Sequence, residues 1–419
     1  MSQGGIAERQ ADPDAGEPGG GPARARRRRR LLPWKHKRDL TPAQLRRRKL
    51  TTRGALGVCV ICAGTLGWSV GKALTYPGKD STTARLAEWA RDHELGFVVD
   101  QLEDWQYRMN PPKVGGSLSP DALARMNATA PVSGPSPAHV AAQPLVPLHA
   151  PLPAPVSPAL PGEGVYRTLA SSHGEPIVQG TYVRPDGEHT SYEAAVAWIS
   201  GTYSRFELHP GFREPGETFD VPPTIPKGER AGLVATWNGG FRITDGGSRG
   251  GFYLDGKTAG RLRDGAASEV FYRDGSIKIG VWGRDVRMTP DVVGVRQCLE
   301  LMVDGGKVVP DIDDDAKWGV SDQSKNYVPR SGVGVTAQGD IIMVVGQALS
   351  AHTLADLMQR AGAVRAMPLD MNRAWPSFMS YDGTADPANP KPTNILDFED
   401  PPDRYYVQAT RDFVAVYGR

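Results

Sequence analysis

The clearest alternation of apolar and polar positions lies between residues 329 and 375. Val333 and Val335 alternate with small residues, a Gly-containing turn follows, and residues 341–345 form a continuous apolar run. Alternation around a short turn is typical of a β-hairpin, and an unbroken apolar run is typical of a strand that is covered on both faces. The pattern therefore predicts a hairpin whose second strand is fully buried.

A helix and a further strand are predicted directly after this hairpin. Apolar side chains recur at i, i+3, i+4 and i+7 over residues 354–361, and Thr353 with Asp three residues later resembles a capping box. Residues 363–369 return as a strand, in which Pro368 indicates an edge or a strand end. Asp370 follows at once, where a carboxylate can face a cleft.

Strand-like patterns continue over the rest of the C-terminal part. Further strands are predicted at residues 166–170, 177–183, 196–208, 250–254, 269–272, 276–282, 298–303, 307–309 and 405–416. One helix among many strands predicts an α+β domain with mixed β-sheets and few helices, over residues 164–419.

A different apolar pattern marks the N-terminal part. Residues 54–71 contain no charged side chain, which is near the minimum of about 18 residues for crossing a bilayer, so residues 54–75 predict a transmembrane helix. A cleaved signal peptide is the main alternative, but 53 residues precede the run, more than such peptides usually have. The basic segment 1–53 predicts a disordered cytoplasmic tail, with the main domain outside the cell.

Charge and cysteine content narrow the possible functions. Residues 1–53 contain fifteen of the 49 Lys and Arg but only five of the 47 Asp and Glu. The remainder is mildly acidic, which argues against nucleic acid as a partner of the main domain. The three cysteines predict no disulfide framework or metal cluster. No cofactor motif is evident, and a divalent cation is left open.

Two segments connect the apolar helix to the β-rich domain. Residues 81–128 are predicted as a juxtamembrane helical segment, with Trp89, Phe97 and Trp105 on an apolar stripe typical of a packing face. The membrane, the main domain or a second copy of the chain could cover that stripe. Residues 129–161 are rich in Pro and predict a semi-rigid, extended linker.

Three short segments of the β-rich part could carry chemistry. Asn238 offers an amide donor and acceptor, and Gly239 and Gly240 would let a ligand approach the backbone; a tight turn is the alternative. Arg330 lies at a strand start, where its guanidinium could hold a phosphate through paired N–H groups. An exposed Arg at a strand end is the other interpretation. Asp370 is the strongest single candidate, with a cap of the next turn as its alternative.

Taken in order, these segments resemble the phosphodiester glycosidase family. Its members show Asn-Gly-Gly-Phe, then Arg-[Ser/Thr]-x-[Ile/Val]-Gly, then a strand ending in Leu-Asp-Gly-Gly-Gly-Ser. The chain has the first motif at 238–241, the second at 330–334, and the Leu-Asp pair of the third at 369–370. Residues 371–375, Met-Asn-Arg-Ala-Trp, replace the glycine run.

The resemblance, which covers roughly residues 165–419, implies a hydrolase of sugar-1-phosphodiesters. Its substrate would be a phosphodiester-linked glycan or glycopolymer. The Ala-, Gly-, Pro- and Arg-rich composition suggests a bacterial genome of high GC content, so the expected substrates are glycans of a bacterial cell envelope. The candidate residues are Asp370, Arg330 and Asn238 for catalysis, and Gly239, Gly240, Asn372, Arg373 and Trp375 for substrate binding.

The replaced glycine run keeps other functions open. A Gly-rich loop offers backbone N–H groups to an anion, and residues 371–375 are poorly suited to this. Either side chains such as Arg373 supply the donors, or the chain is a non-catalytic envelope glycan-binding or assembly protein that keeps the fold. A bare membrane scaffold is a third possibility, and the oligomeric state is left open.

Overall fold

The hairpin that the sequence predicts around residue 333 lies in the middle of the largest sheet of the protein. The computed structural model describes residues 41–128, 145–216, 218–244, 247–319, 327–371 and 373–419. The chain divides into two units, Met1–Thr65 and Leu66–Arg419.

Few helices stand among many strands. The helices are α1 (Pro42–Thr75), α2 (Thr82–Asp92), α3 (Gly96–Met109), α4 (Pro120–Asn127) and α5 (Ala351–Arg360). The strands are β1 (Arg167–Ser172), β2 (Glu175–Val183), β3 (Ala194–Ile199), β4 (Ser204–His209), β5 (Leu233–Asn238), β6 (Gly251–Leu254), β7 (Lys257–Ala259), β8 (Ala267–Tyr272), β9 (Ile277–Val281), β10 (Val292–Gln297), β11 (Val303–Asp304), β12 (Lys307–Val308), β13 (Val328–Thr336), β14 (Ile341–Leu349), β15 (Ala363–Pro368), β16 (Phe378–Asp382), β17 (Lys391–Asn394) and β18 (Phe413–Gly418).

The second unit contains three sheets. Their strand orders are β1-β2-β3-β14-β13-β15-β11-β12, β7-β6-β10-β8-β9 and β17-β16-β5-β18-β4. The paired strands of these sheets run antiparallel, where mixed sheets were expected. The α+β class is confirmed. One large hydrophobic cluster joins the sheets, with Val196, Trp237 and Phe252 each contributed by a different sheet.

The predicted hairpin and helix are confirmed, with one change at the helix start. Strands β13 and β14 pair, and β14 is buried on both faces. Helix α5 is capped by Ser350, whose Oγ accepts a hydrogen bond from the N–H of Thr353 at 2.9 Å. Thr353 is therefore inside the helix and not its cap. The helix ends before Gly362, which has a φ of +94°, as a C-terminal glycine would.

Two of the predicted strands are longer than the strands observed. Residues 196–208 form parts of β3 and β4, which belong to different sheets, so the chain changes sheet between Ile199 and Ser204. The last strand starts at Phe413 and not at Tyr405. The loop in front of it carries two charged residues that contribute to the site described below.

Helix α1 is 34 residues long and contains the predicted transmembrane segment, 54–75. By length and composition it is long and apolar enough to cross a membrane. Its first part belongs to the first unit and its last turns belong to the second unit.

The segment after α1 is helical, as predicted, but its buried face is different. Phe97 and Trp105 of the predicted apolar stripe are exposed, whereas Ala84 and Glu88 of α2 are buried. Ser81 caps α2 by accepting a hydrogen bond from the N–H of Ala84 at 3.1 Å. The apolar stripe is therefore not the face that packs on the domain. The packed face belongs to α2 and carries the carboxylate of Glu88.

Part of the predicted linker packs on the domain. Residues 129–144 lie outside the described part, whereas residues 145–161 lie along the first strands. The N–H of Val146 donates to a carboxylate oxygen of Glu175, and the N–H of His149 donates to the side-chain oxygen of Gln179, both at 2.9 Å. Because these backbone groups are bonded to β2, the second half of the predicted linker is not an extended spacer.

Candidate active site

Strand ends from two of the sheets meet at one place in the second unit. β5 ends at Asn238, β15 leads directly into Leu369 and Asp370, and β18 starts just after Asp412. The N–H of Asp370 donates to the carbonyl of Gly239 at 3.2 Å, and the N–H of Gly239 donates to the carbonyl of Asp412 at 2.9 Å. The first and third motifs are therefore hydrogen-bonded to each other.

The side-chain oxygen of Asn238 and one N–H of its amide are engaged inside the protein. Its Oδ1 accepts hydrogen bonds from the Oγ of Ser331 at 3.1 Å and from the N–H of Ser377 at 2.9 Å. Its Nδ2 donates to the carbonyl of Gly239 at 2.9 Å. The Oγ of Ser331 also lies 3.2 Å from the carbonyl oxygen of Asp370. Asn238 therefore holds the motifs together rather than facing a ligand in this structure.

The two glycines that follow are required by close packing. A Cβ on Gly239 would lie 1.9 Å from a carboxylate oxygen of Asp412, and a Cβ on Gly240 would lie 2.7 Å from the Cβ of Cys298. Real Cβ atoms do not approach other atoms so closely, so neither position accepts a side chain without rearrangement. Close packing against Asp412 and Cys298 therefore explains the two glycines of the motif.

Arg330 is engaged with the protein backbone. Its guanidinium is buried and donates to the carbonyl of Leu349 at 2.9 Å and to the carbonyl of Trp318 at 3.2 Å. Ser331, the next residue, faces Asn238, because neighbouring side chains of a strand point to opposite faces. The structure thus places Asn238 and Asp370 close together. The described hydrogen bonds of Arg330 go to backbone carbonyls instead.

Arg411, which sequence reasoning missed, contacts Asp370. Its Nη2 donates to the Oδ2 of Asp370 at 2.7 Å, and both side chains are buried. Burial disfavours the charged guanidinium, but the carboxylates of Asp370 and Glu88 outweigh this and raise the pKa of Arg411. The pair therefore supplies a fixed positive charge directly beside a carboxylate.

A second ion pair lies next to the site and links Arg296 of β10 to Asp412, the residue before β18. Nε of Arg296 donates to Oδ2 of Asp412 at 2.7 Å, and neither side chain is exposed. The Nη2 of Arg296 also donates to the carbonyls of Gly240 and Phe241, at 2.8 and 2.6 Å. Burial opposes the charge of Arg296, but Asp412 outweighs it and raises the pKa. This pair anchors the backbone of the first motif.

Two further titratable groups are buried in the same region. Burial raises the pKa of Glu269 to about 8, and its Oε1 accepts a hydrogen bond from the indole N–H of Trp237 at 3.2 Å. Burial also raises the pKa of Cys298 to about 12. Glu269 is therefore largely protonated at neutral pH, and Cys298 is a thiol with no nucleophilic character.

The residues that replace the glycine run have different positions. Asn372 lies outside the described residues, and Arg373 is exposed. Trp375 is buried, with the guanidinium of Arg411 4.8 Å from its ring centre and that of Arg404 at 5.7 Å. Its ring packs with Ala84 of α2. The predicted aromatic platform is therefore covered by this helix.

Helix α2 also lies against the arginines of the site. Glu88 is 3.4 Å from the Nη1 of Arg411 and 3.4 Å from the Nη1 of Arg242. One turn further on, Asp92 accepts a hydrogen bond from Arg242 at 2.7 Å and pairs with Arg213. The carboxylates stand at i and i+4, so they share one helix face. This spacing was the signal in the sequence that could have identified them.

The arrangement can bind an anion and hold a carboxylate in place. Arg411 would stabilise negative charge on an oxyanion, and Asp370 would face the same position. Among the residues that the structure describes, no group of three or more His, Cys, Asp or Glu side chains could hold a metal ion.

Comparisons with known proteins support the resemblance. Residues 231–370 match the family model described as phosphodiester glycosidase, which includes all three motifs. No curated protein matches the chain.

Three solved structures are similar in part. The catalytic domain of zebrafish N-acetylglucosamine-1-phosphodiester alpha-N-acetylglucosaminidase, auto-inhibited by its pro-peptide, has a TM-score of 0.40 at 13% identity, covering 61% of this chain and 88% of that chain. A hypothetical protein from Synechocystis has 0.34 at 14%, covering 59% and 63%. A putative exported protein from Burkholderia pseudomallei has 0.30 at 10%, covering 54% and 74%.

The match to the family model covers the strand before Asn238, the segment at Arg330 and the strand that ends before Asp370. Residues 231–370 thus match the phosphodiester glycosidase family, which confirms the resemblance that the three motifs predicted.

Proposed function

We propose that the β-rich domain hydrolyses sugar-1-phosphodiesters, with phosphodiester-linked glycans of a cell envelope as its substrates. The observation that carries this proposal is the carboxylate of Asp370, held at 2.7 Å by a buried arginine at the junction of the family's motifs. Many carboxylate–arginine pairs in proteins are structural, but this one lies on the last residue of the matched segment.

The chemistry needs few groups. Water adds to the anomeric carbon and gives up a proton to the solvent, directly or through Asp370. The bond between that carbon and the phosphate oxygen breaks, and the phosphomonoester leaves with the electron pair. A phosphomonoester is a weak base, so it needs little protonation as it leaves. Asp370 would orient the water or stabilise the oxocarbenium-like centre, and Arg411 would stabilise the charge of the phosphate. Asn238 would keep the loop in position.

Replacing Asp370 with Asn tests the catalytic role. The Asn side chain keeps an oxygen that accepts from Arg411 but removes the negative charge. We expect hydrolysis of sugar-1-(alkyl phosphate) diesters to fall at least about 100-fold, the usual size of a lost acid–base or charge-stabilising group. Sugar release from a panel of such diesters by the full chain measures this.

Asp291, an exposed carboxylate, provides a matched control, and Asp291→Asn should leave turnover unchanged. Turnover by Asp370→Asn at the wild-type rate would remove Asp370 from the reaction.

A second function is favoured by one specific observation. The glycine run is replaced by residues 371–375, and the ring of Trp375 is buried. On this alternative the domain binds envelope glycans or assists their assembly without cleaving them. Tight binding of the same diesters without release of sugar would favour this binding function over hydrolysis.

We further propose that α1 anchors the domain in a membrane, with the basic N-terminal tail in the cytoplasm. The helix has the required length and composition, and Arg and Lys concentrate before it, as they do on the cytoplasmic side of membrane helices.

A further inference from the structure

We propose that Arg411 and Arg242 together form the binding site for the phosphate of the substrate, and that the carboxylate of Glu88 occupies this site in the structure. The inference rests on the proposed function and goes beyond it, because it assigns the phosphate subsite and identifies the group that fills it.

The first observation is how Glu88 is placed. It is a charged residue on a short surface helix, yet only 3% of it is exposed. One carboxylate oxygen lies 3.4 Å from the Nη1 of Arg411 and the other lies 3.4 Å from the Nη1 of Arg242. The carboxylate therefore bridges two guanidinium groups, which is also how two arginines hold a phosphate. Both distances exceed the 2.7–2.9 Å of a good charge-assisted hydrogen bond.

The second observation is that donors around this carboxylate remain unused. The Nε of Arg411 and the Nε of Arg242 are buried and have no hydrogen-bond partner within the described part of the chain. The Nη1 of Arg242 forms an ion pair with Glu88 at 3.4 Å but makes no hydrogen bond there either. Unused buried donors are unfavourable. A carboxylate has two oxygens to offer, whereas a phosphate offers more acceptors around a tetrahedral centre and could satisfy these additional N–H groups.

The third observation is the position relative to Asp370. The same guanidinium that contacts Glu88 through Nη1 contacts Asp370 through Nη2, at 2.7 Å. A phosphate bound in place of the Glu88 carboxylate would therefore lie beside Asp370. The anomeric carbon, one bond from the phosphate oxygen, would then be within reach of the Asp370 carboxylate.

The occupancy of this site by α2 has a direct consequence for affinity. Asp92 holds Arg242 and Arg213 on the same helix face, and Ala84 packs on Trp375. A substrate must displace the Glu88 carboxylate before it binds, so the measured affinity is reduced by the fraction of molecules in which the site is open. Removing the carboxylate should raise the affinity for a phosphate anion.

The test compares binding of two simple anions, inorganic phosphate and dimethyl phosphate, to the full chain in detergent by titration calorimetry. We expect Glu88→Ala to bind both at least about tenfold more tightly than the wild type, which corresponds to a site that is closed in nine of ten molecules. Arg411 keeps Asp370 as its counter-charge in this variant, so folding should be preserved, as circular dichroism would verify.

Two further variants make the test specific. Glu94→Gln removes an exposed carboxylate just beyond α2 and should leave the affinity unchanged. Adding Arg242→Gln to Glu88→Ala should abolish the gain, because it removes one of the two guanidinium groups. An unchanged affinity in Glu88→Ala, or a gain that survives Arg242→Gln, would overturn the assignment.

The outcome is separable from that of the proposed function. Tighter phosphate binding without hydrolysis of any diester supports the subsite and argues against the hydrolase. Hydrolysis by the wild type, with no effect of Glu88→Ala on phosphate affinity, supports the hydrolase and overturns the subsite.

Discussion

Replacing Glu269 with Gln probes the electrostatics beneath the candidate site. Glu269 lies on β8, has no exposed surface, and stands opposite Arg296 of β10. Burial raises the pKa of its carboxyl from 4.5 to about 8, since the charged form loses its hydration. The folded protein therefore keeps this group protonated at neutral pH, whereas the unfolded chain ionises it.

The sign of the effect on stability follows from this difference. The folded pKa is higher than the unfolded value, so the contribution of Glu269 is fully present below about pH 4.5 and is lost as pH rises to about 8. Each pH unit in that window costs about 1.4 kcal/mol. At pH 7 the folded protein is therefore less stable by about 3 kcal/mol than it would be with a neutral side chain of the same shape.

Gln is that neutral side chain. Its oxygen can accept the hydrogen bond of Trp237, as the Oε1 of Glu269 does at 3.2 Å. The Oε2 of Glu269 has no hydrogen-bond partner within the described part of the chain, so the amide of Gln and the protonated carboxyl leave a similar donor unsatisfied. We expect Glu269→Gln to match the wild type near pH 4 and to be more stable by about 3 kcal/mol at pH 7.

Urea unfolding of the full chain in detergent, followed by far-UV circular dichroism between pH 4 and 8, measures this difference. Glu229→Gln, at an exposed position, is the matched control and should show no such pH-dependent gain. A difference between Glu269→Gln and wild type that does not change with pH would refute the reasoning.

Two other outcomes follow from the packing and from the charge distribution. Gly239→Ala should lower the free energy of unfolding by about 3 kcal/mol or more, because its Cβ would displace a carboxylate oxygen of the buried Asp412–Arg296 pair. Urea unfolding measures this effect. Gly228→Ala is the control, since its new Cβ meets no atom within 4 Å. Protease added to intact cells should digest the β-rich domain and spare the basic tail, and digestion of the tail alone would reverse the proposed orientation.

Elements with strong local signals could be predicted from the sequence. Alternation and a tight turn were enough for the hairpin of β13 and β14, and helical spacing with a terminal glycine was enough for α5. Asp370 could be placed at a strand end because it directly follows a mostly apolar strand, in which Pro368 indicates a strand end. The exact cap of α5 was missed, since Ser350 and Thr353 are both capable of capping a helix.

The contacts of the site could not be predicted in this way. Arg411 was placed inside a strand predicted over residues 405–416, whereas β18 starts at Phe413. Two charged residues, Arg411 and Asp412, interrupt that apolar pattern and were the available signal, since a buried strand rarely carries adjacent charges. Glu88 stands 323 positions before Arg411. Local patterns contain no information on such a pairing, which tertiary packing alone determines.

The reaction proposed for Asp370 and Arg411 is tested most directly by following the oxygen of water. Hydrolysis of a sugar-1-(alkyl phosphate) diester by the full chain in heavy-oxygen water, with mass spectrometry of both products, identifies the bond that breaks. Attack at the anomeric carbon beside Asp370 predicts the label in the released sugar, and no labelled sugar from Asp370→Asn. Label in the phosphomonoester, or equal labelling of the sugar by the variant, would contradict the account.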